Sequence, residues 1–489
     1  MLMRKTFLLY ALLSAAFIAV NVATLGNLEP WIDEVMLLDT AYNAAVHGSW
    51  STTAWYRVVG EYPFSTYPPL YQMLAAAWIW LFGGSMVVVR SLNLLIVFML
   101  GLGCLRLMRR HALPLTPGAV AMFTVLLWGT GEMAWMYRCG RPDMLCALLT
   151  VGAVTAIDRH LTARSTFTPW AVMVMSALVV CSGVQAAVCL CVLWLFLFVV
   201  MKGRRREMLR LLVHLVAGIA AGLFLTMLFM LAHGRLIAFV SSLVQYSATL
   251  SSIAIALLPW AGEAFCFDAT PYLQKLQELS VSTDLGDRLA SVVSFRSFIV
   301  LAAVALIAYV VSLRKALGDS GFLALLFAVG VPFVMMLAGR FPDYYRWMAF
   351  VPLLMALTSI AVRRRWWAAV FGVLATVLAI QGIRSLQPAQ QWSYARMRSF
   401  IGRQHFAETD AVVCPFSVFY EMKARCATCY FVGIFPPEFV GHVDYVIQPE
   451  NVPRISDYVR QLRADSTVVL TAVDRCEHPS LTLYAVDYD

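Results

Sequence analysis

Charged residues are scarce in this chain of 489 residues. They make up only 13% of it, while 61% of the residues are apolar. Soluble globular domains average roughly 25% charged residues, so an ordinary soluble enzyme is excluded, and so is a disordered chain. The formal net charge of +9 comes largely from short basic runs beside apolar stretches, which indicates membrane topology rather than a nucleic-acid surface. We therefore expect a polytopic α-helical membrane protein.

Two further features are missing. No small-residue cleavage site follows the first apolar run, so residues 6–26 are predicted to form an uncleaved membrane span. No internal repeat is recognisable either, which argues against a transporter built from inverted repeats.

Apolar stretches long enough to cross a bilayer are present in number. A spanning helix needs about 20 apolar residues, and on this basis we predict about eleven spans. They lie at roughly 6–26, 86–107, 116–135, 142–157, 169–184, 186–201, 209–232, 297–313, 320–338, 344–361 and 366–384. The apolar segment 68–82 begins with paired prolines and is rich in Trp and Tyr, so we interpret it as an interfacial or re-entrant helix. The alternative is that it spans and another segment does not.

The basic clusters fit one orientation. With the N-terminus in the cytoplasm, the clusters at 106–110, 202–206 and 363–365 all fall on the cytoplasmic side. The segments 27–85 and 233–296 then become large outer loops. Residues 1–384 would form the transmembrane domain, and residues 385–489 would lie outside the membrane.

The tail 385–489 is less apolar than the rest. Its pattern predicts short strands near 410–414, 443–447, 467–472 and 481–486 between polar helices, which is typical of a small extracytoplasmic α/β domain. An oxidising compartment would allow two disulfides among Cys414, Cys426, Cys429 and Cys476, with a pairing that the sequence does not decide. Zinc binding by Cys426 and Cys429 with a histidine is disfavoured by the spacing.

Acidic residues gather at the predicted outer face. Asp33 and Glu34 follow the first span, and Asp143 begins the fourth. A carboxylate at the water–lipid boundary is partly desolvated, which raises its basicity, and such groups facing one cavity can act as a catalytic base and an orienting group. The alternative is that Asp33 and Glu34 are an exposed, inert pair at a helix end.

Arginines accompany these acids. Arg138 and Arg141 flank the approach to Asp143, and their guanidinium groups match phosphate oxygens. The alternative is a helix cap neutralised by a salt bridge. A third cluster contains Arg340, Tyr344 and Tyr345, which could equally be an aromatic belt with an anchoring arginine.

Several of these motifs, taken in order, resemble a known family. They are Asp33-Glu34, Tyr67-Pro68-Pro69-Leu70-Tyr71, Val89-Arg90-Ser91, Arg138 to Asp143, Arg340 to Tyr345, and Asp444-Tyr445-Val446. This series is similar to the ArnT/protein-mannosyltransferase-like glycosyltransferases of the GT-C fold. The resemblance is best over residues 27–150 and extends over the rest mainly by topology.

The resemblance implies transfer of a sugar from a polyprenyl-phosphate donor to an acceptor at the outer face. Asp33 matches the family's first-loop carboxylate, the expected base or acceptor-orienting group, and Asp143 matches its second-loop carboxylate. Glu34, beside Asp33, is a third candidate catalytic residue. Arg340 matches a basic position expected to contact the donor phosphate, a role also expected of Arg138 and Arg141.

One position departs from the family. Many members carry His or Lys before the two prolines, where this chain has Tyr67, and a neutral phenol cannot pair with phosphate in the same way. We therefore place the phosphate contact on the arginines. Four tyrosines remain as candidate substrate-binding residues, namely Tyr67, Tyr71, Tyr344 and Tyr345.

The expected partners follow from this chemistry. They are a polyprenyl-phosphate-linked sugar, membrane lipid, and a glycolipid, polysaccharide or protein acceptor, with no nucleic acid. No cofactor is certain and no metal ligand is assigned, although a divalent cation could assist. We expect the inner membrane of a bacterium. The competing hypotheses are a secondary transporter or lipid flippase, and a non-catalytic protein of envelope assembly.

Overall fold

The structure is a computed structural model and is mainly helical. It describes residues 2–52, 67–111, 113, 115–163, 168–245, 346–363, 365–384, 386, 392–426, 428–431, 442–450, 453–477 and 479–488. The predicted spans at 297–313 and 320–338 lie outside the described residues, as does most of the second outer loop.

Eleven helices are described before residue 246. They are α1 (Leu2–Thr24), α2 (Ile32–Val46), α3 (Leu70–Phe82), α4 (Met86–Arg110), α5 (Pro117–Gly129), α6 (Gly131–Arg138), α7 (Asp143–Ala163), α8 (Thr168–Ser182), α9 (Ala186–Val200), α10 (Arg205–Ala232) and α11 (Leu236–Gln245). Two more apolar helices follow, α12 (Arg346–Arg363) and α13 (Arg365–Arg384).

Four described helices are long and apolar enough to cross a membrane. They cover Lys5–Asn27, Met86–Arg110, Asp143–Thr162 and Arg205–Ala232. Shorter apolar helices accompany them, among them α3, α5, α8 and α9. The chain is therefore a multi-pass membrane protein. Helix α3 has 13 residues, which is about 20 Å of helix against a hydrocarbon core of about 30 Å.

One predicted span is divided in two. The segment 116–135 forms α5 and α6, because the helix ends at Gly129 and starts again at Gly131. Helix α13 approaches closely at this break. A Cβ atom on Gly382 would lie against the Gly129 carbonyl oxygen, so only glycine allows this contact. The sequence marks this break with Gly129-Thr130-Gly131-Glu132, a signal that the span prediction passed over.

The C-terminal part of the chain forms a five-stranded mixed sheet. Its strands are β1 (Ala411–Cys414), β2 (Thr428–Phe431), β3 (Tyr445–Pro449), β4 (Val468–Glu477) and β5 (Ser480–Tyr488), in the order β2-β1-β3-β5-β4. The β1–β2 and β1–β3 pairs are parallel, whereas β5 runs antiparallel to β3 and β4. Three helices accompany the sheet, α14 (Tyr394–Gly402), α15 (Phe419–Lys423) and α16 (Pro453–Ala464).

The sheet and its helices are joined to the membrane helices by a continuous apolar core. Phe419 on α15 packs edge-on against Tyr42 on α2, with ring centroids 6.3 Å apart. Nearer α1, the indole N–H of Trp392 donates to the carbonyl of Gly26 at 2.8 Å. These contacts fix the sheet unit beside the segment that follows α1, where the predicted acidic residues lie.

Candidate active site

Two helix starts bring the predicted acids together. Asp33 lies in the first turn of α2, and Asp143 is the first residue of α7, directly after Pro142. Both positions suit a carboxylate, because the N-terminal end of a helix carries a partial positive charge. Each acid is thus placed by a local rule of helix structure, while their meeting depends on the packing of α2 against the turn before α7.

Arg141 links the two acids. Its Nη1 donates to Asp33 Oδ2 at 2.7 Å and its Nε donates to Asp143 Oδ2 at 2.8 Å. The Arg141 side chain is 1% exposed, whereas the Asp33 side chain is 25% exposed. The face of the guanidinium lies 4.9 Å from the ring centroid of Trp31. The cluster therefore carries a formal charge of −1, and Asp33 is its most accessible carboxylate.

The environment makes Asp33 a stronger base than a free aspartate. Burial raises its pKa, and the nearby Asp143 charge adds to the rise, while Arg141 opposes both. The net result is a pKa above the ordinary aspartate value. Arg141, which pairs with Asp33, keeps its positive charge in the same surroundings. Burial alone would lower its pKa, but the charges of Asp143 and Asp33 outweigh this effect, so it stays protonated.

Glu34 faces a different neighbour from Asp33, because successive helical residues point about 100° apart. Arg90 holds it with two hydrogen bonds of 2.7 Å, from Nε to Oε1 and from Nη2 to Oε2. Neither side chain is exposed. Tyr420 Oη donates to Oε1 at 2.7 Å, and the Gly140 N–H donates to the same oxygen at 3.0 Å.

These contacts determine the ionisation of Glu34. Burial on its own would raise the pKa of the carboxyl, but Arg90, Tyr420 and the Gly140 N–H together hold it below the ordinary value. Glu34 is therefore an ionised, saturated acceptor within a buried network. The predicted pair Asp33-Glu34 thus divides, with only Asp33 beside Arg141 and Asp143.

The turn before α7 is held from both sides. Asn93 on α4 donates through Nδ2 to the carbonyls of Cys139 at 2.5 Å and Arg141 at 2.9 Å. From the other side, Glu34 accepts the Gly140 N–H. A Cβ atom at Gly140 would lie 2.3 Å from Leu38 Cδ1, so a larger residue there would displace the buried Leu38 side chain. This contact sets the distance between α2 and Arg141.

Arg138 differs from the other arginines of the cluster. Its side chain is 3% exposed, and its Nη2 donates to the Thr24 carbonyl. Among the described residues no carboxylate pairs with it, and its Nε has no hydrogen-bond partner there. Burial lowers its pKa, with a smaller contribution from the like charge of Arg90. A buried cation of this kind is suited to an anionic ligand.

The remaining predicted residues are placed as follows. Tyr71 is buried on α3, close enough to Glu34 and Asp143 to be influenced by both charges. Tyr67 is partly buried and interacts electrostatically with Arg141. The third predicted cluster lies outside the described residues, and its members are Arg340, Tyr344 and Tyr345.

Three residues of this region were not predicted from the sequence to belong to the site. Arg90 was noted only within a motif, and Asn93 and Tyr420 were not singled out. Arg90 and Asn93 lie three residues apart in an apolar span, so they share one helix face. Polar groups in such a span are a recognised sign of a functional or structural site, and they could have been identified. Tyr420 had no local signal, because its partner is 386 residues away in the chain.

Within the residues that the structure describes, no cluster of three or more His, Cys, Asp or Glu side chains could hold a metal ion. The tail cysteines Cys414, Cys426, Cys429 and Cys476 are all buried as free thiols.

The arrangement can support proton abstraction beside a bound anion. Asp33 offers a partly exposed carboxylate with raised basicity, and Arg141 and Asp143 fix its orientation. Arg138, at the end of α6, supplies a buried positive charge three residues before Arg141. These are the groups needed to take a proton from a hydroxyl and to stabilise a departing phosphate.

Comparison with solved structures gives three likenesses. ArnT from Cupriavidus metallidurans bound to undecaprenyl phosphate is 14% identical, with 97% of each chain covered and a TM-score of 0.49. The apo state of the same ArnT is 13% identical, with the same coverage and a TM-score of 0.45. The archaeal oligosaccharyltransferase AglB from Archaeoglobus fulgidus, in complex with an inhibitory peptide and a dolichol-phosphate, is 13% identical. That likeness covers 90% of this chain and 69% of AglB, with a TM-score of 0.49.

No family model matches the chain, and no curated protein is similar enough to match it. At this low similarity, the case for a function rests on the side chains described above rather than on these likenesses.

Proposed function

We propose that this protein is a membrane glycosyltransferase that moves a sugar from a polyprenyl-phosphate donor to an acceptor at the outer face of a bacterial inner membrane. The observation that carries the proposal is the cluster of Asp33, Arg141 and Asp143. Asp143 begins the apolar helix α7 and Asp33 lies in the first turn of α2, where a lipid-borne phosphate and a water-borne hydroxyl can meet.

The reaction is a single displacement at the anomeric carbon. Asp33 takes the proton of the acceptor hydroxyl as its oxygen bonds to the sugar carbon. The bond between that carbon and the phosphate oxygen breaks, and the polyprenyl phosphate leaves with both electrons. Because attack and departure occur on opposite faces, the configuration of the sugar carbon inverts. The transition state has oxocarbenium character, as in other displacements at this carbon.

Asp143 and Arg141 orient the base. Arg141 holds one oxygen of Asp33 in place, so the partly exposed carboxylate has a fixed orientation. Since Arg141 is already shared by two carboxylates, the phosphate contact falls more naturally to Arg138, the buried cation without a carboxylate partner in the described part of the chain. Arg340 remains a second candidate for this contact.

An apolar cavity supports the assignment of Arg138. It has a volume of about 150 Å³ and lies between α1, α5, α6 and α13. Val20, Asn21 and Tyr137 line it, and the carbonyl that accepts from Arg138 belongs to Thr24, one turn along α1 from Val20. An isoprenoid segment in this cavity would lie about one helical turn from the Thr24 carbonyl to which Arg138 donates.

The sheet unit would then face the extracytoplasmic side and contribute to the acceptor side of the site. The acceptor is a glycolipid, a polysaccharide or a protein hydroxyl. A transporter or lipid flippase is not favoured, because the described charges of this cluster lie at helix ends rather than midway along broken helices.

The test is transfer of a labelled sugar by the purified protein in liposomes. A panel of polyprenyl-phosphate sugars is supplied together with envelope glycolipid, polysaccharide and protein acceptors. We expect labelled product with at least one donor and acceptor pair, and its loss in Asp33→Asn. Glu29→Gln is the control, since Glu29 is an exposed acid in the same loop. Product formation at a normal rate by Asp33→Asn would remove the proposed base.

A further inference from the structure

The short helix α15 belongs to the C-terminal sheet unit, yet two of its side chains bind the first outer segment. Tyr420 Oη donates to Glu34 Oε1 at 2.7 Å. Three residues later, Lys423 Nζ lies 2.9 Å from Asp39 Oδ1 and donates to Asn43 Oδ1 at 2.9 Å. Both contacts reach α2, at positions about one and a half turns apart.

The contact through Lys423 is an anchor. Lys423 and Asp39 are both completely shielded from solvent. Asp39 also accepts a hydrogen bond from Thr52 Oγ1 at 2.6 Å, which ties the chain after α2 to the same point. A buried ion pair with additional hydrogen bonds is costly to break, because each partner alone would be an unpaired buried charge. Helix α15 is therefore fixed against α2.

The contact through Tyr420 continues towards the candidate site. Glu34 Oε1 accepts from Tyr420 and from the Gly140 N–H at the same time. Gly140 directly precedes Arg141, the residue that holds Asp33 and Asp143. A single carboxylate oxygen thus connects α15 to the backbone of the turn that positions Arg141.

Alternative roles for the Tyr420 hydroxyl are not supported by its surroundings. The side chain is buried, and its ring lies 5.9 Å from the Arg90 guanidinium carbon. Burial raises its pKa, and the adjacent Glu34 charge raises it further, so it stays a neutral donor. It is thus a fixed donor to Glu34.

We propose that Tyr420 is a positioning residue, through which the C-terminal sheet unit sets the geometry of the Asp33–Arg141–Asp143 cluster by way of Glu34 and Gly140. The inference rests on the proposed function for its effect on catalysis. Its structural content, an ordered turn at 139–141 that depends on a hydroxyl in the tail, stands independently of any activity.

The test variant is Tyr420→Phe in the full-length protein. The substitution keeps the ring and its apolar contacts and removes only the hydroxyl. Tyr394→Phe is the matched control, because Tyr394 Oη also donates to a carboxylate, Glu421 Oε1, at 2.6 Å. Glu421 has no described hydrogen bond to the Gly140 turn.

The first measurement is hydrogen exchange of peptides that contain residues 139–141, followed by mass spectrometry in detergent micelles. We expect exchange about ten-fold faster in Tyr420→Phe than in the wild type, since the turn opens more often when Glu34 loses a donor. Tyr394→Phe is expected to exchange as the wild type does. Equal exchange in all three proteins would overturn the inference, whether or not the protein transfers sugar.

The second measurement is kinetic. With the Tyr420 hydroxyl absent, we expect kcat to fall about ten-fold with little change in the KM for the donor, since misplacement of reacting groups mainly affects the chemical step. As Arg141 shifts from Asp33, its pKa-lowering effect weakens, and the acidic limb of the pH–rate profile moves to higher pH. A loss that reflects only fewer folded molecules would lower the rate without moving that limb, and such a result would contradict the positioning role.

The two measurements distinguish failure of the proposed function from failure of the positioning role of Tyr420. If the wild type transfers no sugar under any condition, the proposed function fails, while hydrogen exchange still decides whether Tyr420 orders the turn. If the wild type transfers sugar and Tyr420→Phe matches it in both measurements, only the role of Tyr420 is refuted.

Discussion

Glu34 and Arg90 form a two-point ion pair between α2 and α4, with neither side chain exposed to solvent. Arg90 also donates from Nη1 to the carbonyls of Leu25 and Leu28, each at 2.7 Å. One guanidinium therefore joins the end of α1, the start of α2 and the start of α4. The pair organises the scaffold beneath the candidate site and does not face it.

Replacement of Arg90 tests its role in holding this scaffold together. We expect Arg90→Met to lower the free energy of unfolding by about 3–5 kcal/mol, because it leaves the Glu34 carboxylate buried without its partner. Arg90→Lys should also destabilise, since a single ammonium cannot reproduce the two-point geometry. Thermal unfolding in detergent, followed by tryptophan fluorescence, measures both. A double variant, Glu34→Gln with Arg90→Met, is expected to recover part of the loss, and no recovery would argue against the pairing as the cause.

The pH dependence of transfer tests Asp33 as the base. The base must be deprotonated to act, so kcat/KM should fall as the pH drops through the Asp33 pKa. Burial raises that pKa above the ordinary aspartate value, so we expect the acidic limb at a higher pH than for an exposed aspartate. The measurement is a pH–rate profile under subsaturating donor. A flat profile through the mildly acidic range would assign the proton transfer to another group.

A substitution at Gly140 tests the close approach of α2 to the turn before α7. Alanine there would place its Cβ 2.3 Å from Leu38 Cδ1 and 3.2 Å from Glu34 Oε1, so the buried Leu38 side chain and the Glu34 carboxylate must shift, and the turn shifts with Glu34. We expect Gly140→Ala to reduce kcat by about 10²-fold, the scale associated with a shift of about 1 Å in a catalytic group. Gly118→Ala is the control, because nothing lies within 4 Å of its added atom. Equal rates for the two variants would show that the spacing is unimportant.

Much of the helical framework could be predicted from the sequence. Apolar length alone located the helices Lys5–Asn27, Met86–Arg110 and Arg205–Ala232. The break after Gly129 was missed although Gly129-Thr130-Gly131 marks it, whereas the approach of Gly382 from a distant helix has no local signal. Strand β2, Thr428–Phe431, was also missed, since it lacks the adjacent valines that mark the equally short β1.

The candidate site was predictable in part. The residue types and their order pointed to Asp33, Arg141 and Asp143, because acids and arginines at helix starts are visible in a sequence. The separation of Glu34 from Asp33 was not, since it depends on which side of α2 faces Arg90. Contacts such as that between Lys423 and Asp39 join residues far apart in the chain, and only the folded structure brings them together.

The central claim is that Asp33 and Asp143 act as one unit through Arg141, and a double-mutant comparison of sugar transfer tests it most directly. The rates of Asp33→Asn, Asp143→Asn and the double variant are measured in liposomes with one donor and acceptor pair. We expect each single variant to lose about 10²-fold or more in kcat. The kcat of the double variant should be little lower than that of the less active single variant. Losses that multiply in the double variant, or near-normal transfer by either single variant, would contradict a shared site.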